Sequence, residues 1–76
     1  MPKKNQLQFQ QKFGQHLKKI REKKELTLKD VAYNCDLDDS NISKIEQGKA
    51  NITLRTLLQL SQGLEIAPKT LLDFEW

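Results

Sequence analysis

A seven-residue run, Asp38-Asp39-Ser40-Asn41-Ile42-Ser43-Lys44, gathers polar side chains with complementary hydrogen-bonding character around a single aliphatic residue. At helical spacing Ile42 and Ile45 share an inner face, which leaves Asp39, Ser40, Asn41, Ser43 and Lys44 on the outer one. Those five side chains have the chemistry to read base edges in the major groove of a duplex. Lys44 can donate to guanine O6 or N7, Asn41 can pair with adenine or meet a phosphate, Ser40 can donate or accept, and Asp39 can accept from cytosine N4. Asp38 and Asp39 also stand where carboxylates cap a helix and meet the positive end of its dipole, a dipole effect of about 0.3–1 kcal/mol. For Asp39 the capping and reading roles are compatible. Carboxylates facing phosphates reject wrong sequences better than they create affinity.

A helix this short is not stable alone, because nucleation is costly, so other elements must hold it. Thr27 stands where an N-cap belongs, ahead of Leu28, Val31, Ala32 and Cys35 on one helical face. After a four-residue connection the next helix opens at Asp38 and stops at Gly48, in the left-handed position that glycine takes without strain. Two short helices so joined spell a helix-turn-helix over about residues 27–47. Upstream, Phe9, Phe13, Leu17 and Ile20 step by three or four and predict a helix running to about Lys24. Gly14 inside that pattern costs about 1 kcal/mol of helix propensity relative to Ala, which points to another element packed closely against it. Downstream, Thr53 caps a fourth helix with Leu54, Leu57, Leu58 and Leu60 inward and Gly63 at its end, and Pro68 opens a short fifth helix bearing Leu71, Leu72 and Phe74. The expected fold is all-α, a compact five-helix domain over residues 9–76 behind a flexible polar arm over residues 1–8.

Seventy-six residues suit one small domain, and 37% hydrophobic against 30% charged residues marks it as globular rather than disordered. No apolar run approaches the roughly 20 residues that span a bilayer, and residues 1–11 lack a signal-peptide apolar block, so a cytoplasmic protein with no membrane partner is expected. One cysteine, Cys35, cannot form an internal disulfide and reads as core filler beside Ala32. The single histidine, His16, on a Lys-rich helix, reads as a surface side chain. Together they give no metal cluster and no nucleophile–base pair, and no glycine-rich phosphate loop follows a strand; an enzyme, a cofactor and a metal are not expected. The net charge of +3 favours a polyanion, but residues 1–25 hold eight Lys or Arg against two Glu, whereas residues 26–76 hold five against eight acids. Basic character therefore belongs to the arm and first helix, not to the reading segment. That distribution sustains an alternative: an antitoxin-like or adaptor module whose acidic third helix binds a basic protein, with weak or no DNA binding.

The string Phe13-Gly14-x-x-Leu17-x-x-Ile20-Arg21, Leu26-Thr27, Ile42-Ser43-x-Ile45-Glu46-x-Gly48 and Asn51-Ile52-Thr53-Leu54-x-Thr56-Leu57 resembles the Xre/Cro and phage-repressor helix-turn-helix family over about four-fifths of the chain. Within it the chain is most similar to small stand-alone regulators such as the controller proteins of restriction-modification systems. The resemblance implies a lambda-repressor-like fold of five helices and a cytoplasmic homodimer that regulates transcription from a palindromic operator on double-stranded DNA. It also implies a structural ion pair between Arg21 and Glu46, which the helical pattern lets meet under partial burial. Reading positions one, two and six of the family fall on Asp39, Ser40 and Lys44, and its sugar-phosphate clamp on Gln47, Lys49, Asn51 and Arg55; Thr27, at its helix N-terminus, is a further backbone contact. The chain departs from the family in having Leu28 where Gln is common and Glu25 and Asp36 where Gly is common. Two half-sites need two linked copies, and Ile52, Ile66, Phe74 and Trp76 are the expected dimer interface, with Leu54 and Leu58 assigned to the core. Lys3 and Lys4 read either as a solubilising tail or as an arm reaching a neighbouring groove.

Overall fold

Phe13, Leu17, Val31, Ile42, Ile45, Leu60, Leu64 and Leu71 are buried against one another, so every helical element contributes at least one side chain to a single core. The computed structural model describes residues 5–76. Among them run α1 (Gln6–Lys23), α2 (Leu28–Tyr33), α3 (Asp39–Glu46), α4 (Leu54–Leu64) and a terminal 3-10 helix, η1 (Pro68–Leu72). The all-α expectation therefore holds with four α-helices rather than five. Pro68 does open the last element, but its turns close through three-residue bonds, Thr70 N–H to Ala67 O at 3.0 Å and Asp73 N–H to Thr70 O at 3.3 Å, and five residues end before α bonding can establish itself.

Local chemistry sets the other boundaries. Asn5 and Gln8 form a reciprocal capping box, the Asn5 Oδ1 accepting from Gln8 N–H at 2.8 Å and the Gln8 Oε1 from Asn5 N–H at 3.0 Å. Residues 5–8 thus belong to the first turn of α1 rather than to an arm; Lys3 and Lys4 lie outside the described residues. At the other end Glu25 adopts a left-handed conformation, φ 58°, and Leu26 N–H returns to Arg21 O at 3.1 Å. The turn is the one glycine usually makes, built here on a glutamate. α2 stops at Tyr33, because Asn34 and Cys35 donate only three residues back, to Val31 and Ala32 carbonyls, and the connection to α3 is one residue longer than expected. The position where glycine is common, Asp36, needs no positive φ.

Two expectations for α4 fail. Its core stripe is Leu57, Leu60, Ser61 and Leu64, so Leu54, in the first turn beyond the edge of the core, is 83% exposed and Leu58, one residue off the stripe, is 48% exposed. Gly63 lies inside the helix, with Glu65 taking the left-handed cap at φ 57°. A Cβ on Gly63 would stand 2.9 Å from the Val31 carbonyl oxygen, so the glycine serves α2–α4 contact rather than termination. Cys35, half-buried, faces the same seam, and burial pushes its thiol up from the ordinary value, keeping it protonated.

Gly14 is where α1 meets α3. A Cβ there would collide with the Ile45 carbonyl oxygen and come within 2.6 Å of the Glu46 carbonyl oxygen, both backbone atoms that cannot swing aside. Replacing Gly14 with Ala, which by helix propensity should stabilise, is expected instead to destabilise by about 1–3 kcal/mol through overpacking. Urea denaturation of the two proteins measures the sign directly.

Candidate nucleic-acid interface

The short helix α3 is held in place from behind. Arg21, near the end of α1, donates from Nε to Glu46 Oε2 at 2.7 Å and from Nη2 to Oε1 at 3.0 Å, while its Nη1 donates to the Leu26 carbonyl at 2.8 Å. The two side chains are 12% and 6% exposed, and the bond to Glu46 raises the Arg21 pKa further above its ordinary value. One guanidinium therefore fastens the last turn of α3 to α1 and to the loop entering α2. This is the ion pair expected at these positions.

On the far side of α3, Ser40, Asn41 and Lys44 are exposed and Asp39 and Ser43 are half-buried, whereas Ile42 and Ile45 are buried beneath them. Asp38 occupies the N-cap position, φ −75° and ψ 147°, but its side chain makes no cap hydrogen bond; only its backbone carbonyl serves, accepting from Ile42 N–H at 3.1 Å. The capping role expected of its carboxylate is thus absent. Ser43 Oγ accepts from Gln47 Nε2 at 2.9 Å, which ties the expected backbone contact Gln47 to the reading face one turn away.

Thr27 behaves as a cap in full. Its Oγ1 accepts from Asp30 N–H at 3.0 Å, and Asp30 Oδ2 accepts from Thr27 N–H at 2.8 Å, a bond that draws the Asp30 pKa below its ordinary value. Since that backbone N–H is engaged, what Thr27 can offer a phosphate is its hydroxyl proton. Lys49, Asn51 and Arg55 are exposed in the loop after α3 and the first turn of α4. Asn51 shares a shallow depression with Asn41 and Lys44, walled by Ile45 and Ala50 and closed by Thr53 and Thr56. Thr56 is a neighbour that sequence reasoning missed. Its spacing of three from the Thr53 cap was the available signal, and the two hydroxyls lie 3.2 Å apart.

An apolar groove that shares residues 50–53 with this depression runs between the start of α1 and the start of α4, lined by Phe9, Phe13, Ile52, Leu54, Leu57 and Leu72. Of the four residues expected at a dimer interface, Ile52 lines this groove. Trp76 meets its Phe9 wall edge-on with centroids 5.0 Å apart, and Phe74 packs on the same ring at 5.5 Å. Ile66 instead packs against the core at the α4–η1 turn. Leu54, Leu58 and Leu72, all exposed, supply apolar surface that a core assignment for the first two would have removed. His16 is not a surface side chain either: it is half-buried, with Nε2 2.8 Å from the Thr70 carbonyl oxygen, because the returning C-terminal residues cover it.

Against known proteins, residues 14–74 match a family model described as "Helix-turn-helix domain". The chain is 40% identical over 63 residues to control protein C.BamHI of Bacillus amyloliquefaciens, covering 82% of this chain and 78% of that protein. It is 45% identical over 56 residues to control protein C.MunI of a Mycoplasma species, covering 72% and 76%. In structure it is similar to the restriction-modification controller protein C.AhdI from Aeromonas hydrophila, with a TM-score of 0.79 at 35% identity over 83% of this chain and 96% of that one. It is also similar to the restriction-modification controller protein C.Esp1396I, solved as a tetramer on its natural 35 base-pair operator, with a TM-score of 0.78 at 32% identity over 93% and 90%.

Removing one half of a largely buried ion pair leaves the other charge uncompensated, a cost of about 3–5 kcal/mol. Glu46→Ala is therefore expected to lower the melting temperature steeply or to abolish cooperative unfolding, as followed by far-UV circular dichroism; an unaltered melt would mean the pair carries no structural weight.

Proposed function

The chain belongs to the helix-turn-helix family that includes the restriction-modification controller proteins, and from that premise we propose that it is a sequence-specific transcriptional regulator that binds operator DNA as a homodimer. It acts where the genomic duplex lies, in the cytoplasm. One observation carries the reading: α3 is buried on its inner side and offers Ser40, Asn41 and Lys44 to solvent on its outer side, the arrangement that laying a helix into a major groove requires. The solved relative C.Esp1396I on its operator supports the same use of the scaffold.

Mechanistically, α3 enters the groove with Asp39, Ser40, Asn41, Ser43 and Lys44 toward base edges. Lys44 is the residue we assign to guanine, and Asn41 to adenine or to the adjoining phosphate. Thr27, Gln47, Lys49, Asn51 and Arg55 grip the sugar-phosphate chain on either side and fix the register. The carboxylates of Asp38 and Asp39 lie close to phosphates in this pose, so they set a floor of repulsion that only the right base contacts overcome. Pairing of two copies through the groove lined by Ile52, Leu54 and Leu72, together with the exposed Leu58, presents two reading helices to half-sites about one helical turn apart.

Selection from randomised duplexes, followed by gel retardation at several salt concentrations, tests the function. Enrichment of an inverted repeat supports it, and enrichment of nothing sinks it, leaving the adaptor reading in which a basic protein occupies the acidic helix. Within a selected site, Lys44→Ala is expected to relax discrimination at one base position by about 1–3 kcal/mol. Equal weakening on every sequence would move Lys44 to the backbone clamp. Leu54→Asp is expected to convert dimer to monomer in sedimentation velocity and to reduce operator binding, with the melting curve little altered because the side chain is 83% exposed.

A further inference from the structure

The pairing groove has one wall that the four α-helices do not supply. Leu72, the last residue of η1, faces Phe9, Ile52, Leu54 and Leu57 across it, and beyond Leu72 the chain turns back along α1. Little backbone bonding secures that return: Phe74 N–H donates to Leu72 O at 3.0 Å, and Asp73 N–H to Thr70 O at 3.3 Å. Side chains of α1 do the rest. His16 Nε2 lies 2.8 Å from Thr70 O, and since a carbonyl only accepts, this nitrogen carries the proton. The Phe74 ring lies 5.4 Å from the His16 ring and 5.5 Å from the Phe9 ring. Phe9 and His16 are seven residues apart, two turns of the same helix face and about 10.5 Å along its axis, so Phe74 sits between them. Lys12 adds a long bond from Nζ to Glu75 O at 3.4 Å.

His16 therefore touches the returning segment at two points, its backbone at Thr70 and its ring at Phe74, without lining the groove itself. We infer that His16 is a positioning residue for self-association: by latching η1 and backing Phe74 against Phe9, it sets where Leu72 and Phe9 stand in the face that a second copy covers. The inference rests on the homodimer reading above. A segment with few backbone bonds opens readily unless side chains hold it. Without the latch the two walls of the groove lose their spacing, and the apolar surface loses its match to a second copy.

The single tryptophan of the chain, Trp76, packs on Phe9 and reports docking of the segment directly. Sedimentation velocity over a dilution series and Trp76 emission are measured for the full chain, His16→Ala, His16→Gln, Phe74→Ala and the double variant His16→Ala/Phe74→Ala. His16→Ala is expected to shift Trp76 emission to the red and raise the dimer dissociation constant about tenfold, the scale of losing one well-packed anchor. His16→Gln, which keeps a donor, recovers part of both, and adding His16→Ala to Phe74→Ala weakens association by less than His16→Ala does alone, because one of the two His16 contacts is already gone. If His16→Ala unfolds, the comparison of His16→Gln with Phe74→Ala decides by the same two readouts. A dissociation constant unmoved while the emission shifts would overturn the inference alone, as would an emission that does not shift. A wild-type chain that stays monomeric at every concentration would overturn the homodimer reading and this inference together.

Discussion

The Arg21–Glu46 pair is the constraint on which the rest of the molecule turns. A guanidinium has five donors in a rigid plane, and here three bonds go to one helix and one loop: both Glu46 oxygens and the Leu26 carbonyl. The consequence is geometric. α3 has only eight residues and α2 six, neither of which could hold an orientation by itself, yet the end of α3 and the entrance to α2 are tied to the same side chain of an 18-residue helix. The bare backbone of Gly14, two turns earlier on the same face of α1 as Arg21, lets α1 come close enough for that bridge to form.

With the scaffold fixed, electrostatics decide how it is used. The basic excess sits in α1 and the segment before it, and the reading segment is acidic, so attraction to phosphate does not by itself place this helix in a groove. In the proposed pose, recognition leans on hydrogen bonds to base edges and on the cations Lys44, Lys49 and Arg55 rather than on a diffuse positive field. In the proposed dimer, doubling the contact through a second subunit compensates for what each half lacks, and the exposed leucines of α4 and η1 are the surface proposed to pair.

Much of this was legible in the residues. The spacing of Phe13, Leu17 and Ile20 located α1, hydroxyl caps at Thr27 and Thr53 opened α2 and α4, and Gly14 announced a close approach, because each of these signals is local and has one dominant physical cause. The solvent-facing side of α3 followed from Ile42 and Ile45 in the same way. What was not legible depended on tertiary context. Leu54 shares a phase with Leu57, but only the packed fold shows that the core ends before reaching it; Gly63 and Glu65 exchange the roles that propensity assigns them; Asp38 takes a cap position without making a cap bond. His16 and Thr70 are 54 residues apart, and no pattern in the chain links them.

Glu25 and Glu65 close α1 and α4 in the left-handed conformation, where a side chain costs about 1–2 kcal/mol that glycine does not incur. In a domain of this size such a sum is a noticeable part of the whole margin between native and denatured states, and each 1.4 kcal/mol changes the opened population about tenfold. Opened chains are the ones that proteases cut. Two glutamates at helix ends thus help govern how long each copy of a regulator persists, and so how quickly its concentration can follow a change in synthesis.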